Sequence, residues 1–184
     1  MLKSILRNWY RYVLWVIVSI VFWSWIAMLL TDTANPAKKV VLFADLPEVK
    51  GEALELVLEE TKPEGVKFVK THAFTYSMFN QQAVLNGDLY LVSDRYIDEF
   101  IDSFVPIDKS AFPDAAFYEK DGVAYGVCVY DEAAGLITAG AYVTYLEGER
   151  CYLFFNETSV HLGAWNDSPD DAAIAVAHDF LNLR

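Results

Sequence analysis

The chain has 184 residues, enough for one domain with a small appendage, and 54% of them are apolar, above the roughly 45–50% usual for soluble domains. Its formal net charge is −12, and residues 1–30 hold three of the 14 basic residues but none of the 26 acidic ones. The remainder therefore carries 11 basic against 26 acidic residues, a net of −15, which repels nucleic acid and anionic headgroups and counts against both as partners.

The apolar excess is local. From Tyr12 to Thr31 no residue is charged, and only Ser19, Ser24 and Thr31 are polar. Twenty such residues at about 1.5 Å each span about 30 Å, the thickness of a bilayer core. The segment lacks the polar stripe of a core helix, so it reads as a transmembrane helix. Lys3, Arg7 and Arg11 precede it without an acid, which predicts a cytoplasmic tail over residues 1–11 and an extracytoplasmic remainder. The run is longer than a signal-peptide core and no clean small-x-small cleavage site follows, favouring an anchor over a cleaved leader. The bilayer is thus the first expected partner, and the location a single-pass cell-membrane protein.

A polar linker over residues 32–38 leads into the domain, 39–184. Val40-Val41-Leu42-Phe43-Ala44 is a continuous β-branched apolar run, the signature of a strand buried on both faces. Asp45-Leu46-Pro47-Glu48 has the cap, proline and acid of a helix start, with the helix running to about Glu60. Strands are predicted at Val66–Lys70 and Leu89–Val92. Thr75 is placed to cap a helix over Tyr76–Leu85, and Ser93 one over Asp94–Ser103. This alternation predicts α/β architecture with parallel strands.

The second half is richer in aromatic strands: Val123–Tyr130, Leu136–Thr138, Ala141–Tyr145 and Cys151–Phe155, with turn residues between them that suggest antiparallel pairing. Ser168-Pro169-Asp170-Asp171 then opens a last helix reaching about Leu181. Cys128 and Cys151 are the two cysteines. They fall in strands that can be neighbours, which leaves a disulfide and a pair of buried thiols both open.

Catalytic and metal signatures are missing from the sequence. His72, His161 and His178 are far apart, no phosphate-binding or dinucleotide glycine motif occurs, and the cysteines lack CxxC spacing. Asp167, Asp170 and Asp171 fail the calcium-loop pattern and read as first-turn acids of the last helix. His161 reads as an ordinary loop histidine. The expectation is a non-catalytic protein without cofactor or metal.

The stretch Tyr76-Ser77-Met78-Phe79-Asn80-Gln81-Gln82-Ala83-Val84-Leu85-Asn86-Gly87-Asp88-Leu89-Tyr90-Leu91-Val92-Ser93 resembles the first lobe of extracellular solute-binding proteins of ABC importers. There a helix ending in a Gly-Asp turn feeds a buried strand. Val105-Pro106-Ile107-Asp108 resembles that family's "pLd" continuation. Tyr118-Glu119-Lys120-Asp121-Gly122-Val123-Ala124-Tyr125-Gly126-Val127-Cys128 is similar to its "dGk-x-Yg-x-P" strand, with Cys128 where proline is usual. Phe154-Phe155-Asn156-Glu157-Thr158-Ser159 and the last helix resemble its return strand and closing helix. Together these cover about residues 39–130 and 151–183.

The resemblance implies one periplasmic-binding-protein-like lobe, a mixed, mainly parallel sheet flanked by helices, behind the membrane helix. The family's second lobe would follow Tyr130, but only about twenty residues separate Tyr130 from Cys151. A hinge-closing trap between two lobes is therefore not expected. Ligands of open α/β sheets sit beyond the strand carboxyl ends. That rule nominates Asp45, Thr75, Tyr76, Ser93 and Asp94, with Tyr125 and Tyr130 from the crossing strand, as residues for a small solute. For Asp45, Thr75 and Ser93, helix capping is the competing reading. The alternative function is a protein-interaction subunit of a membrane complex, using an aromatic surface near Tyr142, Tyr145, Tyr152 and Phe154.

Overall fold

A helix that is apolar on every side has no soluble face to offer, and residues Trp9–Leu30 form such a helix, α1, of 22 residues. The computed structural model describes residues 9–30, 35–79, 86–163 and 171–183. The chain divides into two units, Met1–Ala34 and Asn35–Arg184. Within its unit α1 leaves Trp15 at 68% and Trp23 at 65% exposed. Its window Trp9–Ile26 has a mean hydropathy of 1.4, long and apolar enough to cross a membrane. It begins three residues ahead of the expected Tyr12 and takes in Arg11.

The second unit is built on one mixed sheet. Its strands are β1 (Lys39–Ala44), β3 (Phe68–Ala73), β4 (Leu89–Ser93), β5 (Phe117–Lys120), β6 (Val123–Asp131), β7 (Leu136–Ile137) and β9 (Cys151–Phe155), in spatial order β3-β1-β4-β9-β6-β5 with β7 also on β6. β3, β1 and β4 are parallel, while β9 runs antiparallel to both β4 and β6. A separate ribbon pairs β2 (Glu48–Val49) with β8 (Val143–Thr144).

Side chains alternate across the sheet, as strand geometry requires, except at register shifts along β6. One face carries Val40, Leu42, Leu89, Leu91, Leu153 and Phe155, packed with Leu54 and Leu58 of α2 (Gly51–Thr61) and Val176 and Phe180 of α4 (Ala172–Leu181). The other face is aromatic. Phe43, Phe74, Phe79, Tyr90, Phe104 and Phe154 cluster there under the short helix α3 (Ile97–Phe100) and the 3-10 turn Ile101–Ser103. Phe104 stacks on Phe154 at 4.5 Å between ring centroids. Gly126 makes that packing possible, since a Cβ there would lie 2.6 Å from the Phe154 ring.

A buried carboxylate ties these pieces together at the amino ends of the parallel strands. Asp88 is 3% exposed. Its Oδ2 accepts from the Val41 backbone N–H at 2.8 Å, and its Oδ1 accepts from the Ser159 hydroxyl at 2.6 Å and meets His161 Nδ1 at 2.9 Å. Asn156 adds Nδ2 donation to the Gly87 carbonyl at 2.6 Å. His161 is fully buried, which corrects its reading as an ordinary loop histidine. Its carbonyl accepts from Ala173 N–H at 3.2 Å, so the same knot holds the first turn of α4.

Several sequence expectations change. Asp45-Leu46-Pro47-Glu48 does not start a helix. Glu48 and Val49 are claimed by pairing with Thr144 and Val143, and α2 begins at Gly51 without a side-chain cap. Thr75 precedes only a 3-10 turn, Tyr76–Met78; residues 80–85 of the expected helix lie outside the described ones. The helix predicted from Asp94 is cut to α3 and its 3-10 continuation. Asp171 takes a left-handed φ of 54° and makes no cap bond within α4, accepting instead from Gly163 N–H at 3.3 Å; Asp167 and Asp170 lie outside the described residues. Of the expected aromatic surface, Phe154 is fully buried and Tyr152 is 6% exposed, so both are core, while Tyr142 and Tyr145 are half-buried, Tyr145 stacked on Tyr130 at 4.5 Å.

The cysteines are neighbours in the sheet but free. Cys128 faces the aromatic side and Cys151 the helix side, so the thiols point away from each other and no disulfide forms. A register shift between Cys128 and Tyr130 turns Val129 and Tyr130 together toward the helix side. Burial pushes the Cys128 thiol up to about 11 and Cys151 well above its usual value. Both thiols should resist iodoacetamide at pH 8 until the chain unfolds, and a reductant should leave the melting temperature unchanged. The unfolded Cys128 ionises near 9.0 and the folded one near 11. Stability from this group is thus intact below pH 9 and falls as pH rises through that window, a slope that C128A should flatten in urea titrations. At the other end of the sheet, D88A should cost about 3 kcal/mol in chemical denaturation, because it strands the three groups that meet the carboxylate, Val41 N–H, the Ser159 hydroxyl and His161 Nδ1.

Candidate functional site

In the order β3-β1-β4 the chain steps from β1 to β3 on one side and then crosses to β4 on the other. The switch point therefore lies between the carboxyl ends of β1 and β4, where doubly wound folds bind ligands. Asp45 N–H donates to the Leu91 carbonyl at 2.9 Å, closing the two strand ends together. β9 and β6 extend this edge, because Ser93 is opposite Cys151 and Tyr130 opposite Cys151 on its other side.

The edge carries a polar rim. The Ser93 hydroxyl donates to Glu149 Oε2, and Arg95 pairs with the other oxygen of the same carboxylate. Asp94 N–H donates to the Arg150 carbonyl at 2.9 Å, and Arg150 Nε meets Asp131 Oδ2 at 2.9 Å. Glu149 and Asp131 are largely sheltered, at 14% and 18% side-chain exposure, while both arginines are 57% exposed. Beside them lies a depression of about 350 Å³ lined by Asp131, Glu132, Gly148, Glu149 and Arg150. An exposed guanidinium held by a sheltered carboxylate is oriented while still able to meet a solute.

The nominated residues separate into two groups. Asp45, Ser93 and Asp94 do meet at the switch point, with Ser93 buried and Asp94 exposed. Thr75 is at the end of β3, exposed, with its hydroxyl 3.1 Å from that of Ser77. Tyr76 opens the adjoining 3-10 turn. Tyr130 is 8% exposed and stacked on Tyr145, so it is core rather than ligand surface. Tyr125 lies five residues before Tyr130 in β6, about 16 Å along the strand at ~3.3 Å per residue, and packs against the aromatic cluster. Among the described residues no long helix directly follows Asp45 or Ser93, although Ser93 Oγ accepts from Arg95 N–H at 3.4 Å as a cap does. Thr75 leads into the 3-10 turn, beyond which residues 80–85 lie outside the described ones.

Arg95, Asp131, Glu149 and Arg150 escaped the sequence reading. The only signal for them was their position next to strand ends, which exposed loop charges share. Chemically the rim offers hydrogen bonds and charge. The other polar centre contains Ser159, Asp88 and His161, but the carboxylate stands in the middle. Ser159 donates its proton to Asp88, whereas a nucleophilic serine needs the imidazole as its base. Among the described residues no group of three or more His, Cys, Asp or Glu side chains is arranged to hold a metal.

No family model matches the chain, and no curated protein matches it. Among solved structures, thiaminase I from Bacillus thiaminolyticus aligns at 15% identity with a TM-score of 0.34, over 48% of this chain and 27% of that one. A likeness of that strength carries no argument about fold or function; what stands is a mixed α/β domain, its sheet flanked by helices, together with one apolar N-terminal helix.

Proposed function

We propose that this chain is a membrane-anchored, non-catalytic binding module. It is a single periplasmic-binding-protein-like lobe that takes a small polar solute at the carboxyl edge of its sheet. The observation that carries this reading is the oriented rim of Ser93, Glu149, Arg95, Asp131 and Arg150 beside the 350 Å³ depression. α1 serves as the anchor, with Lys3, Arg7 and Arg11 holding the tail in the cytoplasm and the acidic domain outside. The connectivity of Ser159, Asp88 and His161 supports a structural rather than a catalytic role for the one serine–histidine–carboxylate grouping described.

The test is a thermal-shift screen of the full chain in detergent against sugars, amino acids, short peptides and polyamines. A solute at 100 times its dissociation constant adds about 2.7 kcal/mol of stability. The expected result is a clear upward shift with one class, reduced in R150A and E149A. Absence of any shift across the panel would sink solute binding and leave the protein-interaction alternative.

A further inference from the structure

β6 has two different partners on its outer edge. β5 pairs with its first half, ending where Cys128 N–H donates to the Ala116 carbonyl at 2.8 Å, and β7 takes over where Thr138 N–H donates to the Val129 carbonyl at 3.0 Å. Between the two lies a cavity of about 230 Å³ lined by Phe112, Asp114, Ala116, Leu136, Thr138 and His178, among others. It is separate from the strand-end depression, whose lining shares none of these residues.

The lining has unspent bonding capacity. Thr138 is 2% exposed; its backbone is engaged by Val129 and by the Tyr145 hydroxyl, but its own hydroxyl bonds to no described residue. The His178 ring stacks on Phe112 at 4.4 Å between centroids and 28° between planes, and its nitrogens bond to none either. Asp114 has no ion-pair partner among the described residues. The Thr138 hydroxyl thus keeps a donor and acceptor capacity for a group in the cavity, and the exposed Asp114 keeps its carboxylate oxygens.

We propose that this cavity is a second binding site, for a small molecule made of one aromatic ring and an ammonium group. A dry cavity of about 150 Å³ holds benzene, so this larger one takes a ring with a short arm. The ring packs against the Phe112–His178 stack. The ammonium donates to the Thr138 hydroxyl and pairs with the Asp114 carboxylate, and the net negative charge of the domain draws cations toward it.

Benzylammonium, benzyl alcohol and benzoate are the probes, and saturation-transfer NMR on the full chain in detergent is the measurement. Benzylammonium should bind, and benzoate at least tenfold more weakly. A116W and L136W each fill the cavity and should abolish the signal at an unchanged melting temperature; either one suffices if the other fails to fold. D114N should weaken benzylammonium about threefold to fivefold, the range of an exposed ion pair. R150A should leave it unchanged, which separates this site from the strand-end one. Equal signals in the parent and the filled variants would mean detergent partitioning only and would overturn the proposal. So would benzoate binding as tightly as benzylammonium.

Discussion

A carboxylate withdrawn from water must be answered by donors, and Asp88 is answered from three places in the chain. Val41 supplies a backbone N–H from β1, Ser159 a hydroxyl and His161 an imidazole from the segment after β9. Because those donors have fixed positions, the carboxylate sets where β1, β4 and the return segment lie relative to one another. The hydrophobic faces could tolerate small slips, but a displaced buried charge could not. The result is an asymmetric sheet, closed at its amino ends by a largely buried polar knot and open at its carboxyl ends, where the charged rim meets solvent.

The segment over residues 131–150 does more than connect β6 to β9. β7 pairs with β6, β8 pairs with β2, and Lys50 N–H donates to the Tyr142 carbonyl at 2.8 Å. Tyr145 lies flat on Tyr130, with 3° between ring planes, and burial raises its hydroxyl far above the usual range while that hydroxyl donates to the Thr138 carbonyl. This stretch thus acts as a brace across the strand-end edge. It also supplies Glu149 and Arg150 to that edge.

The strands of the sheet were largely legible because burial on two faces leaves a plain mark. Val40-Val41-Leu42-Phe43-Ala44, Leu89-Tyr90-Leu91-Val92 and Cys151-Tyr152-Leu153-Phe154-Phe155 are continuous apolar runs, and each became a strand. The helices were less so. The cap-like start at Asp45 was outbid by long-range partners, Thr144 and Val143 pairing Glu48 and Val49, and the Ser93 hydroxyl donates to the distant Glu149 while its oxygen still accepts from Arg95 N–H. Such partners are distant in sequence and leave no local trace. The same holds for His161, whose burial depends on Asp88, 73 positions earlier. Tyr130 was misplaced for a different reason: the register shift beside Cys128 breaks the alternation that would have told its face.

The antiparallel strand β9 sits in the middle of the sheet although it is the last strand among the described residues. As the polypeptide emerges during synthesis, β3, β1 and β4 can assemble early, and so can the β5–β6 hairpin. Until residue 155 is out, both halves present a long apolar edge with unpaired N–H and C=O groups, each a template for the wrong neighbour. Joining them late, through contacts more than sixty residues apart between Leu89 and Phe155, makes this domain slow to complete and exposed to aggregation on the way. Under the proposed anchoring by α1, an unfinished chain would be held apart from other copies on a surface during that interval.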